Sequence, residues 1–220
     1  MTVISFSRRA LLALAAGSAM VAGAPVFAAD DTAALPPDQL MSKVASDMLN
    51  ALDQRRAEVR RDPKLAYPLV DQILLPHFDT QYAAQLILAQ NWRTASEDQR
   101  KRFVAALYDA LLKTYAGAIA DFTSDRLKIL PLKLEAGATQ TIVRTEVRRD
   151  SGTIVPVDYR MHKTDGGWKV YDVIIEGISY VRNYREDFGA EVAQKGLDEV
   201  IARLEREGLH ADRAAKSTGG

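Results

Sequence analysis

The chain has 220 residues, with 29 lysines and arginines against 29 aspartates and glutamates and a formal net charge of zero at pH 7. That balance excludes the basic excess on which nucleic-acid binding depends, and the absence of cysteine excludes a disulfide framework. The length allows one core or at most two.

The first segment belongs to no core. MTVISFSRRALLALAAGSAMVAGAPVFAAD pairs Arg8 and Arg9, follows them with an acid-free apolar run from Ala10 to about Ala24, and ends on small residues at Ala28 and Ala29. This is the pattern of an export signal over residues 1–29, by either the general secretory or the twin-arginine route. The run is short and alanine-rich for a membrane span. Its removal takes two arginines and no acid, leaving 27 basic side chains against 29 acidic ones, a net charge of about −2. A cysteine-free exported chain suits a bacterial periplasm.

Residues 30–37 form a linker and 38–207 a single domain. Leu40, Val44, Met48, Leu49 and Leu52 recur at helical spacing and predict a helix from Asp38 to about Val59, stopping before Pro63. Two shorter helices follow, about Lys64–Leu75 and Thr80–Gln90, divided by Pro76 and with Asp79 able to cap the second. Ser96 and Gln99 have the spacing of a capping box. The helix it opens carries Val104, Leu107, Tyr108, Leu111, Tyr115, Ala118, Ile119 and Phe122 as one apolar stripe.

After Ser124 the period changes to two. Leu127 to Leu134 is a strand interrupted by Pro131 and so belongs at an edge or bulge. Thr141–Arg149 and Val155–His162 alternate apolar with charged residues, and Asp150-Ser151-Gly152 and Asp165-Gly166-Gly167 turn the chain between strands. Trp168–Ile175 is apolar on both faces and calls for cover on both. Helices from Tyr180 and from Leu197 follow, divided by Gly196, and residues 208–220 form a disordered tail. The fold class is α+β: an antiparallel sheet of about four strands wrapped by N- and C-terminal helices.

Chemistry is hard to find. His77, His162 and His210 lie far apart without a second ligand at zinc spacing. Gly177-Ile178-Ser179-Tyr180 lacks the second glycine of a nucleophile elbow. Asp172 and Glu176 could form a carboxylate pair, or serve as a sheet-margin hydrogen-bond acceptor and a turn residue. No catalytic residue, metal site or cofactor is therefore expected.

Apolar surface, by contrast, exceeds the need of a two-layer core. One wall carries Tyr82 and Leu86, a second Val104, Leu107, Tyr108, Leu111, Tyr115 and Ile119. The sheet adds Val143, Val147, Val155, Val157, Tyr159 and Met161, with Val173 and Ile175 on its last strand. Such walls can pack solidly together; held apart, they enclose a dry cavity suited to acyl chains. About thirty methylenes at about 0.8 kcal/mol each represent on the order of 20 kcal/mol of gross transfer energy. Outside these walls, Arg55 and Arg56, with Arg60 and Arg61, are a solvated helix end or a contact for acidic headgroups or a partner. Arg185 packs its helix or grips a phosphate.

Asn91-Trp92, Thr94-Ala95-Ser96 and Gln99-Arg100 leading to Phe103 carry a resemblance, as does Trp168-Lys169-Val170-Tyr171-Asp172-Val173 with Glu176-Gly177-Ile178-Ser179 and Asn183-Tyr184-Arg185. Over roughly Leu35–Leu204 the chain resembles the MlaC family of periplasmic phospholipid-binding proteins, also called toluene-tolerance auxiliary proteins. The resemblance implies a nuclear-transport-factor-like cone with acyl tails inside and the headgroup outside. It also implies a non-catalytic shuttle between an outer-membrane lipoprotein and porin complex and an inner-membrane ABC transporter with a periplasmic lipid-binding subunit. Phospholipid or hopanoid would be the cargo. A closed-core adaptor and an enzyme using Asp172 and Glu176 stand as the competing readings.

Overall fold

The structure, a computed structural model, describes residues 32–120, 123, 126–149 and 151–209, apart from the side chains of 116, 118 and 120. The expected export signal, the Ala118 side chain and Phe122 of the apolar stripe, Asp150, His210 and most of the expected tail lie outside what the structure describes.

Helix α1 spans Pro37–Arg61 and buries Leu40, Val44, Met48, Leu49, Leu52 and Val59 along one stripe. Asp62 ends it in extended conformation, and its carboxylate accepts from the Lys64 amide at 3.1 Å. The expected single helix over Lys64–Leu75 is instead a run of changing pitch. It consists of a 3₁₀ turn at Pro63–Ala66, the α-helical turn α2 (Tyr67–Leu69), a π turn at Val70–Leu74 and a 3₁₀ turn at Leu75–His77. Pro76 explains the change: it has no N–H, and its ring crowds the carbonyl four residues back. The Leu75 amide therefore reaches five residues back to the Val70 carbonyl, and the Phe78 amide only three back to that of Leu75.

Helix α3 (Thr80–Leu88) starts at an Asp79 cap, whose carboxylate accepts from the Tyr82 amide at 2.8 Å. Ala89, at φ 51°, breaks what periodicity read as one helix and leads into α4 (Gln90–Thr94). Helix α5 (Glu97–Ala120) begins with the reciprocal capping box: the Gln99 amide donates to Ser96 Oγ at 3.1 Å and the Ser96 amide to Gln99 Oε1 at 2.9 Å.

The sheet is an antiparallel meander of five strands in chain order, one more than expected: β1 (Leu127–Ile129), β2 (Gln140–Arg148), β3 (Ile154–Thr164), β4 (Gly167–Ile175) and β5 (Ile178–Ser179). Glu176 and Gly177 both take positive φ, 52° and 82°, as a mirror-image two-residue hairpin turn requires. The chain thus turns back for two residues of β5 before the next helix begins. Along the remaining edge of β4 runs Phe78, in a parallel bridge to Val170, and the Asp79 amide donates to the Val170 carbonyl at 2.8 Å. That cover blunts an open edge.

The strand that looked apolar on both faces has one apolar face and a bulge. Pairing passes from Arg160↔Asp172 to Met161↔Val170, leaving Tyr171 as the extra residue. The bulge shifts the alternation by one. Trp168 and Val170 before it therefore share a face with Val173 and Ile175 after it, while Asp172 points the other way. Both faces are nevertheless covered, as expected: no position of β4 is exposed, and Asp172 on the second face is buried against the start of α6.

Two helices close the chain, α6 (Tyr180–Lys195) and α7 (Leu197–Glu207), joined through Gly196 at φ 82°. Three apolar groups hold the elements together. Phe103 of α5 meets Phe188 of α6 edge to face at 5.4 Å, amid Ile87, Leu88, Val200 and Leu204. Met48, Leu52 and Val59 of α1 pack with Ala66, Val70 and Leu112. Leu40 and Val44 seat α1 on Val143, Met161, Trp168 and Val170 of the sheet.

Between α6 and α7, Glu191 accepts both arms of the Arg203 guanidinium at 2.7 and 2.8 Å. Burial alone pushes the Glu191 carboxyl up, but its hydrogen bonds and charge pairing with Arg203, helped by Lys195, hold it below 4.5. A depressed folded-state value means stabilisation that is present above about pH 4.5 and lost as pH falls through the folded value. Glu191→Gln should therefore cost about 2 kcal/mol at pH 7, and the difference from the parent chain should shrink in urea melts at pH 3.5. An equal difference at both pH values would refute this account of the pair.

Candidate functional site

Above the first half of β3 and the second half of β4, which pair antiparallel, the layers do not interlock. A cavity of about 420 Å³ opens there, within the range of about 300–1,000 Å³ usual for small-molecule sites. Helix α5 supplies one wall through Val104, Leu107, Tyr108, Leu111, Leu112, Tyr115 and Ile119. The floor is Val157 and Tyr159 of β3 with Tyr171, Val173 and Ile175 of β4. Thr80, Ala83 and Ile87 of α3 and Tyr180, Val181 and Tyr184 of α6 close another side. The pitch-changing run adds Val70, Leu74 and Leu75, with Phe78 beyond it.

Of the helical part of the expected lining, the α5 residues are where periodicity put them and the two α3 residues are not. All six residues of α5, together with Val157, Tyr159, Val173 and Ile175, face this cavity. Six others do not. Val143 and Met161, both fully buried, are covered by Leu40 and Val44 of α1. Val147 and Val155 pair with each other at the turn end of the β2–β3 hairpin, away from the cavity. Tyr82 lays its ring on His162 at 4.6 Å, and Leu86 lies on the same side of α3. The face of α3 that meets the cavity is Thr80, Ala83 and Ile87, one residue round from the bulky pair, because space remains only where a small side chain stands.

Arg55 and Arg56 form ion pairs along their own helix, with Glu58 at 3.1 Å and Asp53 at 2.5 Å. Arg185 is exposed on α6 and does not line the cavity. It makes no hydrogen bond to the described residues, so the helix is held by Tyr184, whose ring lies 5.9 Å from both Tyr180 and Phe188.

Sequence reasoning missed the pitch-changing run and the polar margin. Asp79 caps α3 and also meets His162 Nε2 at 3.0 Å. Tyr171 stands edge-on to both Tyr82 and His162 at 5.3 Å. Asp172 has each carboxylate oxygen engaged: the Ser179 hydroxyl donates to one at 2.6 Å and the Val181 amide to the other at 3.0 Å. Ser179 in turn accepts from the Arg182 amide at 3.1 Å. Asp172 thus anchors the start of α6, as Asp79 anchors α3, and each fixes one wall of the cavity.

Six of the eight tyrosines line the cavity. Burial, then a hydrogen bond to Asp71 at 2.5 Å, pushes the Tyr108 hydroxyl above its ordinary value. Burial raises Tyr159 to about 12. It does the same for Tyr184, against a hydrogen bond from Tyr115 that pulls the other way. These phenols are neutral at physiological pH, and among the described lining residues none is lysine or arginine. No group of described residues is arranged to hold a metal ion, and no described helix is long and apolar enough to cross a membrane.

Together these features define a hollow α+β domain with a largely hydrocarbon-lined chamber, bordered by the carboxylates of Asp79 and Asp172 and by no basic side chain among the described residues. The family model described as MlaC protein matches residues 42–206, and the chain belongs to that family. It is similar to the toluene tolerance protein ttg2D of Pseudomonas putida, 25% identical over 219 residues, covering 98% of this chain and 97% of that one. It is also similar to the intermembrane phospholipid transport system binding protein MlaC of Haemophilus influenzae, 23% identical over 175 residues, covering 77% and 81%. A solved structure of a phospholipid-binding protein from Ralstonia solanacearum, in complex with a phospholipid, superposes with a TM-score of 0.70 at 26% identity. It covers 81% of this chain and 96% of that one.

Proposed function

We propose that this protein is a periplasmic phospholipid carrier, exported by means of residues 1–29. It would enclose the acyl chains of a glycerophospholipid and leave the headgroup in water. It would exchange that lipid with an outer-membrane lipoprotein and porin complex on one side and an inner-membrane ABC transporter on the other. The reading is supported above all by the open chamber of about 420 Å³, lined by aliphatic and aromatic side chains. A relative of known structure is described as holding a phospholipid, and another as part of an intermembrane phospholipid transport system.

No reaction is needed for this role. Asp172 is accounted for as a helix anchor, and Glu176 sits in the hairpin turn 3.9 Å from Arg149. The lipid is cargo, and no cofactor is invoked. Native mass spectrometry of protein purified from the periplasm, followed by organic extraction, tests the proposal. About one phospholipid per folded chain is expected; a folded chain with no adduct and an extract without phospholipid would overturn it.

A further inference from the structure

The chamber's tyrosines are not equivalent. Tyr108 donates to Asp71, and Tyr184 is hydrogen-bonded with Tyr115. Tyr171 belongs to the aromatic group with Tyr82 and His162. Tyr159 lies instead among aliphatic side chains of the floor. It shares the sheet face of Val157, Val173 and Ile175, and its hydroxyl has no hydrogen-bond partner among the described residues, yet is not sealed from solvent. Since the residue lines the cavity, its remaining accessible surface opens on the chamber.

A phenol in that position creates a requirement on any guest. When hydrocarbon fills the chamber, water leaves the hydroxyl, and a buried donor without an acceptor opposes that filling. The guest can remove that cost by supplying an acceptor at the same depth. The acceptor has to be neutral, because Asp79 and Asp172 line the chamber and no lysine or arginine does, so a phosphate or a free carboxylate would be buried without a counter-charge. Among groups that join hydrocarbon chains to a lipid backbone, an ester carbonyl is a strong neutral acceptor; an ether oxygen is weak and shielded by its two carbons.

Building on the carrier reading, we infer that the Tyr159 hydroxyl donates a hydrogen bond to an ester carbonyl of the bound lipid and makes the chamber selective for acyl-ester over alkyl-ether chains. Tyr159 is thus a specificity-determining residue, distinct from the walls that supply affinity.

The test is competitive loading of the lipid-free mature chain from vesicles holding equal amounts of a diester phosphatidylethanolamine and its diether analogue with the same chains. Bound lipid is then counted by mass spectrometry. The parent chain should take up the diester in about three- to tenfold excess, the ratio expected of one neutral hydrogen bond. Tyr159→Phe, which keeps the ring, should bring that ratio within twofold of unity. Equal uptake by the parent chain, or an undiminished preference in Tyr159→Phe, would overturn the inference while leaving the carrier reading intact. Uptake of neither lipid would overturn both. If the variant folds poorly, a phosphatidylethanolamine with one ether and one ester chain keeps the test on the parent chain. One carbonyl should suffice for it to load like the diester, and loading like the diether would refute the role of Tyr159.

Discussion

Val157→Asp should leave a folded protein with an empty chamber. Val157 lies on the chamber floor, between Thr145 and Ile175 in the sheet register. A carboxylate there stays hydrated while the chamber holds water, so the fold can tolerate it. An acyl chain entering the chamber strips that water away, and no basic side chain among the described lining residues compensates. The effective penalty for sealing an unpaired charge is several kilocalories per mole, so lipid occupancy should fall at least about a hundredfold. Ala83→Trp approaches the same end without a charge, since Ala83 leaves the gap on the α3 side and an indole would fill it. Both variants should purify without phospholipid while melting as single cooperative transitions. A folded Val157→Asp chain carrying a full lipid complement would contradict the placement of the floor.

How much of this was legible in the residues depends on how local the signal is. The α5 wall was readable because helical spacing over a long segment leaves little choice of face, and Ser96 with Gln99 fixes where that segment starts. The hairpins were readable from Asp150-Ser151-Gly152 and Asp165-Gly166-Gly167. Coverage was not readable. Val143 and Val157 alternate on the same face of adjacent strands, yet α1 covers the first and the chamber the second. Nothing in the alternation distinguishes them, because the difference lies in a helix about a hundred residues earlier in the sequence. The bulge at Tyr171 hid behind a simple count of two, and the switch of pitch before Pro76 behind a simple count of 3.6. Empty space also leaves a faint trace in sequence: Ala83 marks the opening, whereas the large neighbours Tyr82 and Leu86 drew attention to the wrong side of α3.

Loss of Asp172 should be the most damaging polar change in the molecule. Its side chain is almost fully buried, and its two oxygens take the Ser179 hydroxyl and the Val181 amide, with Arg160 at 3.9 Å as the nearest cation. Those bonds fix the first turn of α6, the turn that presents Tyr180, Val181 and Tyr184 to the chamber. Asp172→Ala removes the acceptors and leaves a buried hydroxyl and a buried amide unsatisfied, at about 1–3 kcal/mol for each. A total near 4 kcal/mol corresponds to a fall in melting temperature of roughly 8–16 °C for a domain of this size. Asp172→Asn keeps one acceptor oxygen and should recover about half of that loss. Because the α6 wall moves with its anchor, lipid retention should decline in the same order, parent above asparagine above alanine. The two measurements together separate an anchor from a catalytic carboxylate: an asparagine variant with parental stability and parental lipid retention, but with a lost turnover, would mean that the carboxylate serves chemistry instead of architecture.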